Sequence, residues 1–165
     1  MPHIHYALDW TVGAFIVHQQ KVLLIDHESL GCWLCPGGHV ELHEDPIEAV
    51  FREVKEEVGL EIEIWDDHFQ EFYSREQIVA ASADLRQHHL PRPRFMDRHV
   101  ITETHSHIGL FYLARPIPDS DWVRGEYVNH HRWFSYNQLC WVECLPIWPT
   151  TRNYAIRALE ELHNL

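Results

Sequence analysis

The segment Pro46–Val58 constrains this chain more than any other, because the start, stripe and stop of a helix are all present in it. Asp45 is a natural N-cap, Pro46 takes the first helical position and Glu48 completes a capping box. Ile47, Val50, Phe51, Val54 and Val58 recur at helical spacing and form one apolar stripe. Gly59 follows as the residue that can end the helix in a left-handed conformation. Off the stripe, Glu53, Glu56 and Glu57 share one face within about a 100° arc. Like charges at this spacing destabilise an isolated helix by roughly a few tenths of a kcal/mol per pair, so something must offset them. Water and Arg52 would suffice for a solvated face. A hard divalent cation such as Mg2+ or Mn2+ would do so better, because such ions take oxygen ligands. The Gly37-Gly38 pair before the helix would let a backbone carbonyl approach the same ion.

The acidity extends beyond these three. The chain has 165 residues, with 25 Asp and Glu against 13 Lys and Arg, a formal charge of −12. Nine of the carboxylates fall between Glu41 and Glu63, opposed only by Arg52 and Lys55. Such a balance argues against a nucleic acid polymer or an anionic membrane as partner. The length suits one domain over 1–165, and no apolar run is long enough to span a bilayer. Met1–Asp9 has neither the basic nor the apolar region of a signal peptide, and four cysteines are too few for a disulfide scaffold. The expectation is a cytoplasmic protein with reduced thiols.

Around the helix, strands and helices alternate. Trp10–Val17 and Val22–Ile25 read as a hairpin joined by His18-Gln-Gln-Lys21, and Cys32–Val40 runs through a turn at Pro36-Gly37-Gly38. Leu60–Trp65 alternates as a strand. Ser74 and Gln77 form a second capping box, which predicts a helix from Arg75 to about Gln87. His88–Arg98, with two prolines, reads as a loop, and His107–Ala114 as a central strand. A short strand at Arg132–Ser135, a short helix at Tyr136–Trp141 and an amphipathic helix at Thr151–His163 follow, the last with Ala155, Ala158, Leu159 and Leu162 on one face. This order predicts a mixed sheet covered by helices.

The stretch from Gly38 to Leu60 resembles the Nudix box, G-x5-E-x7-R-E-U-x-E-E-x-G-U with U apolar. Gly38, Glu44, Arg52, Glu53, Val54, Glu56, Glu57, Gly59 and Leu60 all match. Pro36-Gly37 and Trp133 also fit the family pattern. The resemblance implies an α/β/α sandwich around a mixed sheet. It also implies hydrolysis of a diphosphate linkage in a nucleoside diphosphate linked to another moiety, with Mg2+ or Mn2+ as cofactor. By the same resemblance Glu53, Glu56 and Glu57 are the metal ligands, completed by a carbonyl of Gly38 or Gly37. Arg52 orients a ligating glutamate, and Glu44 supports the site from the loop. The base that takes the water's proton differs among relatives. Glu53, Glu56 or a glutamate outside the box are open here, and Glu126, seven residues before Trp133, is the outside candidate ahead of Glu103. A Nudix-fold module that binds or senses a nucleotide metabolite without turnover is the second reading, although such modules usually lose box glutamates.

Weaker signals remain. Ser74–Thr104 is longer than the family core needs and reads as a variable insertion. Within it Arg92, Arg94 and Arg98 beside Phe95 would grip a phosphate and stack on a base, or simply form a basic loop. Cys32-x2-Cys35 with Cys140 and Cys144 has zinc-like spacing but reads better as buried apolar thiols. His99, His105 and His107, with His88 and His89, read as scattered surface or hydrogen-bonding residues. A second metal site and a pocket lining are the alternatives. Trp10, Trp33 and Trp65 read as core or sheet residues. The substrate's second moiety and a possible homodimer are not legible in the sequence.

Overall fold

In the computed structural model, residues 4–82, 90–117, 130–141 and 146–162 are described. The first two strands, β1 (Leu8–His18) and β2 (Lys21–His27), form the expected hairpin, closed by Gln19 and Gln20 at φ 46° and 60°. Next come β3 (Cys32–Leu34), β4 (Gly37–His39) and α1 (Pro46–Val58). After them lie β5 (Ile62–Asp66), β6 (Glu71–Ser74), α2 (Arg75–Ser82), β7 (Phe95–Thr102) and β8 (His105–Pro116). The described chain ends with β9 (His131–Ser135), α3 (Tyr136–Trp141) and α4 (Pro149–Glu161).

β1 and β8 run parallel through the centre, paired from Leu8↔Ser106 to Ile16↔Ala114, while their other neighbours are antiparallel. Each divides its second edge between two partners. β1 pairs β4 at Thr11–Gly13 and β2 at Val17–His18; β8 pairs β7 along its first half and β5 near its end. β2 also pairs β3 and β9, and β6 continues from β5.

Alternation along β1 feeds two cores. Val12, Ala14 and Ile16 pack with the α1 stripe, whereas Phe15 and Val17 pack with Leu139 of α3 and with Ala155, Ala158 and Leu159 of α4. The molecule is thus an α/β/α sandwich around a mixed sheet. All five stripe residues of α1 are buried. At about 1.5–3 kcal/mol each, that burial far exceeds the repulsion among the glutamates, so the helix forms despite its acidic face. The capping box is present in full and Gly59 adopts φ 70°.

Two expectations are corrected. The chain bends at Pro36, but Gly37 and Gly38 do not belong to the turn; they begin β4, laid so close to β1 that a Cβ on Gly37 would stand 2.0 Å from the Val12 carbonyl oxygen. Phe95–Arg98 is not loop but the start of β7. Pro91 and Pro93 precede the strand, and its inward positions include Asp97 and His99, so it lacks the apolar alternation by which strands are recognised. The second capping box is made, with Ser74 N–H donating to Gln77 Oε1 at 2.8 Å, and α2 is described as far as Ser82.

Candidate active site

α1 and β4 together position the box residues. The helix presents Glu53 buried, Glu57 half-buried and Glu56 63% exposed. Gly38 faces the Glu53 carboxylate so closely that a Cβ there would lie 2.3 Å from Glu53 Oε1; only glycine permits this approach. Gly37 N–H donates to Glu57 Oε2 at 2.8 Å. Two of the three carboxylates therefore lean on one short strand while the third faces water.

Arg52 binds the cluster together. Its Nη2 and Nε reach the two Glu44 oxygens at 2.7 and 3.1 Å, and its Nη1 donates to Glu53 Oε1 at 2.8 Å and Glu56 Oε2 at 3.4 Å. Nη2 also donates to the His39 carbonyl at 3.0 Å, tying helix to strand. Glu44 accepts in addition from Glu41 N–H. Burial works against the Glu44 charge, but the Arg52 fork and the Glu41 amide outweigh it and hold the carboxyl below its usual range. Burial pushes Glu53 up despite Arg52. Burial also raises Glu57 to about 7, opposed by the Gly37 amide and assisted by the charges of Glu53 and Glu56. Burial thus disfavours negative charge at Glu53 and Glu57, a penalty that a bound cation would relieve, and the donors are all oxygens. This donor set fits a hard divalent cation.

A cleft of about 290 Å3 adjoins β4. Thr11 and Gly37–His39 line one side, Asp97, His99 and His107 another, and Trp148, Thr151 and Tyr154 close it from the start of α4. A larger cavity, about 460 Å3, lies by Gln20, Tyr136 and Glu160, on elements carrying none of the predicted site residues.

Of the histidines singled out, His99, His105 and His107 are not scattered on the surface, and His99 and His105 are hydrogen-bonded, to Asp97 and to the Tyr6 carbonyl. His105 and His107 are buried, and His99 and His39 stand with them, the ring centroids of His39, His99 and His105 lying 4.8, 5.4 and 5.1 Å from that of His107. Burial, followed by the charges of His39, His99 and His105, lowers His107 to about 4. Asp9 and His39, which the sequence reading missed, complete this group. In the sequence, Asp9 is visible only as a lone acid just before an apolar strand.

Other predicted residues lie apart. Arg94 is forked to Glu161 at 2.7 and 2.8 Å, Arg98 donates to Ser106 Oγ at 3.3 Å, and Arg92 is exposed. Phe95 stacks on Tyr154 with centroids 4.3 Å apart. None of these four is among the described residues lining the cleft. Glu103 is exposed in the turn between β7 and β8. Glu126, Cys144, His88 and His89 lie outside the described residues. Cys32 is buried, and burial pushes the Cys35 thiol up, but Cys140 is exposed, contrary to expectation, because it follows Leu139, the α3 residue turned into the core.

A mixed sheet between helices, with a glutamate helix laid against a diglycine strand, defines the class of the Nudix-fold proteins. The model of the NUDIX domain matches residues 7–157, and the chain belongs to that family. A protein of Methanocaldococcus jannaschii named ADP-ribose pyrophosphatase is 43% identical over 61 residues, a match covering 35% of this chain and 35% of that protein. The chain thus aligns to about a third of the length of this curated relative. Among solved structures, a NUDIX-family hydrolase from Clostridium perfringens is 28% identical, with TM-score 0.72 over 93% of this chain and 97% of that one. A NUDIX hydrolase from Nitrosomonas europaea, 18% identical, shares the fold with TM-score 0.56 over 98% of this chain and 74% of its own. Among the described residues no helix is long and apolar enough to cross a membrane.

Proposed function

We propose that this protein is a divalent-metal-dependent pyrophosphohydrolase cleaving the diphosphate linkage of a nucleoside diphosphate joined to another moiety. The observation that carries this reading is the glutamate set of α1, with two poorly solvated carboxylates pressed against Gly37 and Gly38. The name of the Methanocaldococcus jannaschii relative makes ADP-ribose the first substrate to try.

Glu53, Glu56 and Glu57, with a carbonyl of Gly37 or Gly38, would hold Mg2+ or Mn2+. Such an ion supplies charge neutralisation for the diphosphate and acidifies water for attack on phosphorus. The remaining steps belong to the chain. Arg52 fixes the Glu53 carboxylate and is itself held in the Glu44 fork. Glu57 is oriented by the Gly37 amide. Glu56, the exposed member, takes the proton of the attacking water; Glu53 and Glu126 are the other candidates for that role. The adjoining cleft, with Trp148 and Tyr154 at its edge, accommodates the nucleoside or the second moiety.

The test is a panel of nucleoside diphosphate derivatives, ADP-ribose included, incubated with magnesium and resolved by product. Turnover of at least one is expected, with Glu56→Gln lowering kcat by about 10²–10⁴-fold while the fold is kept. If no member of the panel is cleaved, the reading fails. Tight nucleotide binding without turnover would make the protein a binding module instead.

A further inference from the structure

Strand registers place a second cluster on the sheet face opposite α1. Asp9 pairs with His107, His107 with His99, and Thr11, two residues beyond Asp9, with His39. Since side chains alternate along strands, Asp9, His39, His99 and His107 share one face. Gly38, one residue before His39, turns the other way, toward Glu53.

One ligand atom each from Asp9, His39 and His107 lies within 4.8 Å of the others. The Asp9 side chain is fully buried, and its oxygens accept from the backbone N–H groups of Ile4 at 3.0 Å and His5 at 2.6 Å. These bonds favour its ionised form. Asp9 Oδ2 is also 3.5 Å from His39 Nε2 and 3.4 Å from His105 Nε2. His105 Nδ1 lies 3.1 Å from the Tyr6 carbonyl oxygen. A carbonyl only accepts, so Nδ1 donates this bond and Nε2 is the atom turned toward the Asp9 carboxylate. Asp97 Oδ1, 3.1 Å from His99 Nδ1, orients a further imidazole toward the group.

We propose that Asp9, His39 and His107 form a binding site for a borderline transition-metal ion of the zinc class, separate from the all-oxygen site on α1. Two imidazoles and one carboxylate suit Zn2+ or its first-row neighbours and suit Mg2+ poorly. Zinc bonds of about 2.0 Å place tetrahedral donors about 3.4 Å apart, so the group closes on the ion with shifts of about 1 Å. His39 and His107 line the cleft, so the remaining coordination position faces it, where it would take an anionic oxygen such as that of a phosphate. Without such a guest the ion still fastens β1, β4 and β8 together.

This inference does not rest on the hydrolase reading, and its failure is separately visible. Chelator-stripped full-length protein is titrated with Co2+ in millimolar Mg2+, following the visible d–d absorption, and then with Zn2+, following displacement. Expected are one equivalent of tetrahedral cobalt, its displacement by zinc, and imidazole nitrogen in the ligand shell by X-ray absorption. His107→Gln and His39→Gln should each weaken cobalt binding at least tenfold, whereas Glu56→Gln and the exposed-residue control His43→Gln should not. Because the wild-type spectrum reports the ligands directly, a variant that misfolds does not decide the matter. No cobalt band, an all-oxygen ligand shell, or a band lost in Glu56→Gln would overturn the proposal.

Discussion

Two groups of ionisable side chains flank β4, and they are built in opposite ways. On one side, Glu53, Glu56 and Glu57 come from successive turns of one helix and offer only oxygen; one guanidinium holds the first two and the Gly37 amide holds the third. On the other, Asp9, His39 and His107 come from three strands, offer nitrogen as well as oxygen, and are aligned by sheet register. The strand between them is too short for either group to be independent of it: Gly38 touches the first and His39 belongs to the second. The difference teaches that one scaffold sets the chemistry of a polar group by which secondary structure supplies the side chains. A helix face gathers like residues, and a sheet face gathers unlike ones.

Removing Arg52 should separate the two groups most sharply. Arg52→Ala strands the Glu44 and Glu53 carboxylates, whose side chains are only 7% and 6% exposed. Loss of one partner from such a pair costs about 3 kcal/mol. Urea unfolding without metal should show that loss, and added Mg2+ should restore part of it by binding the folded state. An unchanged midpoint would mean that Arg52 does not organise the glutamates.

Gly38→Ala comes next. The new methyl group would collide with the Glu53 carboxylate and push it off β4. A displacement of about 1 Å costs about 10²-fold in turnover, so kcat should fall by that order while the melting temperature changes little. Equal losses of stability and activity would show instead that β4 itself had been dislodged.

The smallest effect is expected at the helix cap. Asp45 Oδ1 accepts from Ile47 N–H at 2.7 Å and Glu48 N–H at 2.9 Å. Asp45→Ala should cost about 1 kcal/mol of stability and leave kcat alone. A fall in kcat would mean that the cap transmits its geometry to Glu53.

The same contrast explains what was legible in the sequence. The Asp45–Gly59 stretch is readable because capping, apolar stripe and glutamate face all act within a few turns of one helix. The hairpin at Gln19-Gln20 and the Ser74–Gln77 box are local in the same sense. β4 is misread because glycine is a poor strand former, and the reason for it, contact with Val12 and Glu53, is made by distant residues. β7 is misread because its inward Asp97 and His99 serve a cleft rather than a core. His39 is visible in the sequence only as a residue inside the box, and Asp9 only as an acid before a strand. The register that unites them requires β8. The arginines near Phe95 show the converse: a cluster in sequence that the fold disperses to Glu161, Ser106 and solvent.

The parallel pairing of β1 with β8 also orders events in time. The contact between Gly37 and Glu57 spans 20 residues, whereas that between Tyr6 and His105 spans 99. Closing the longer loop costs more chain entropy and slows its formation. During folding, the glutamate helix and its diglycine strand are therefore able to meet well before the histidines find Asp9. The glutamate group, closed by the shorter loop, is expected to form first, and the cleft beside it to take shape only once the two central strands have joined.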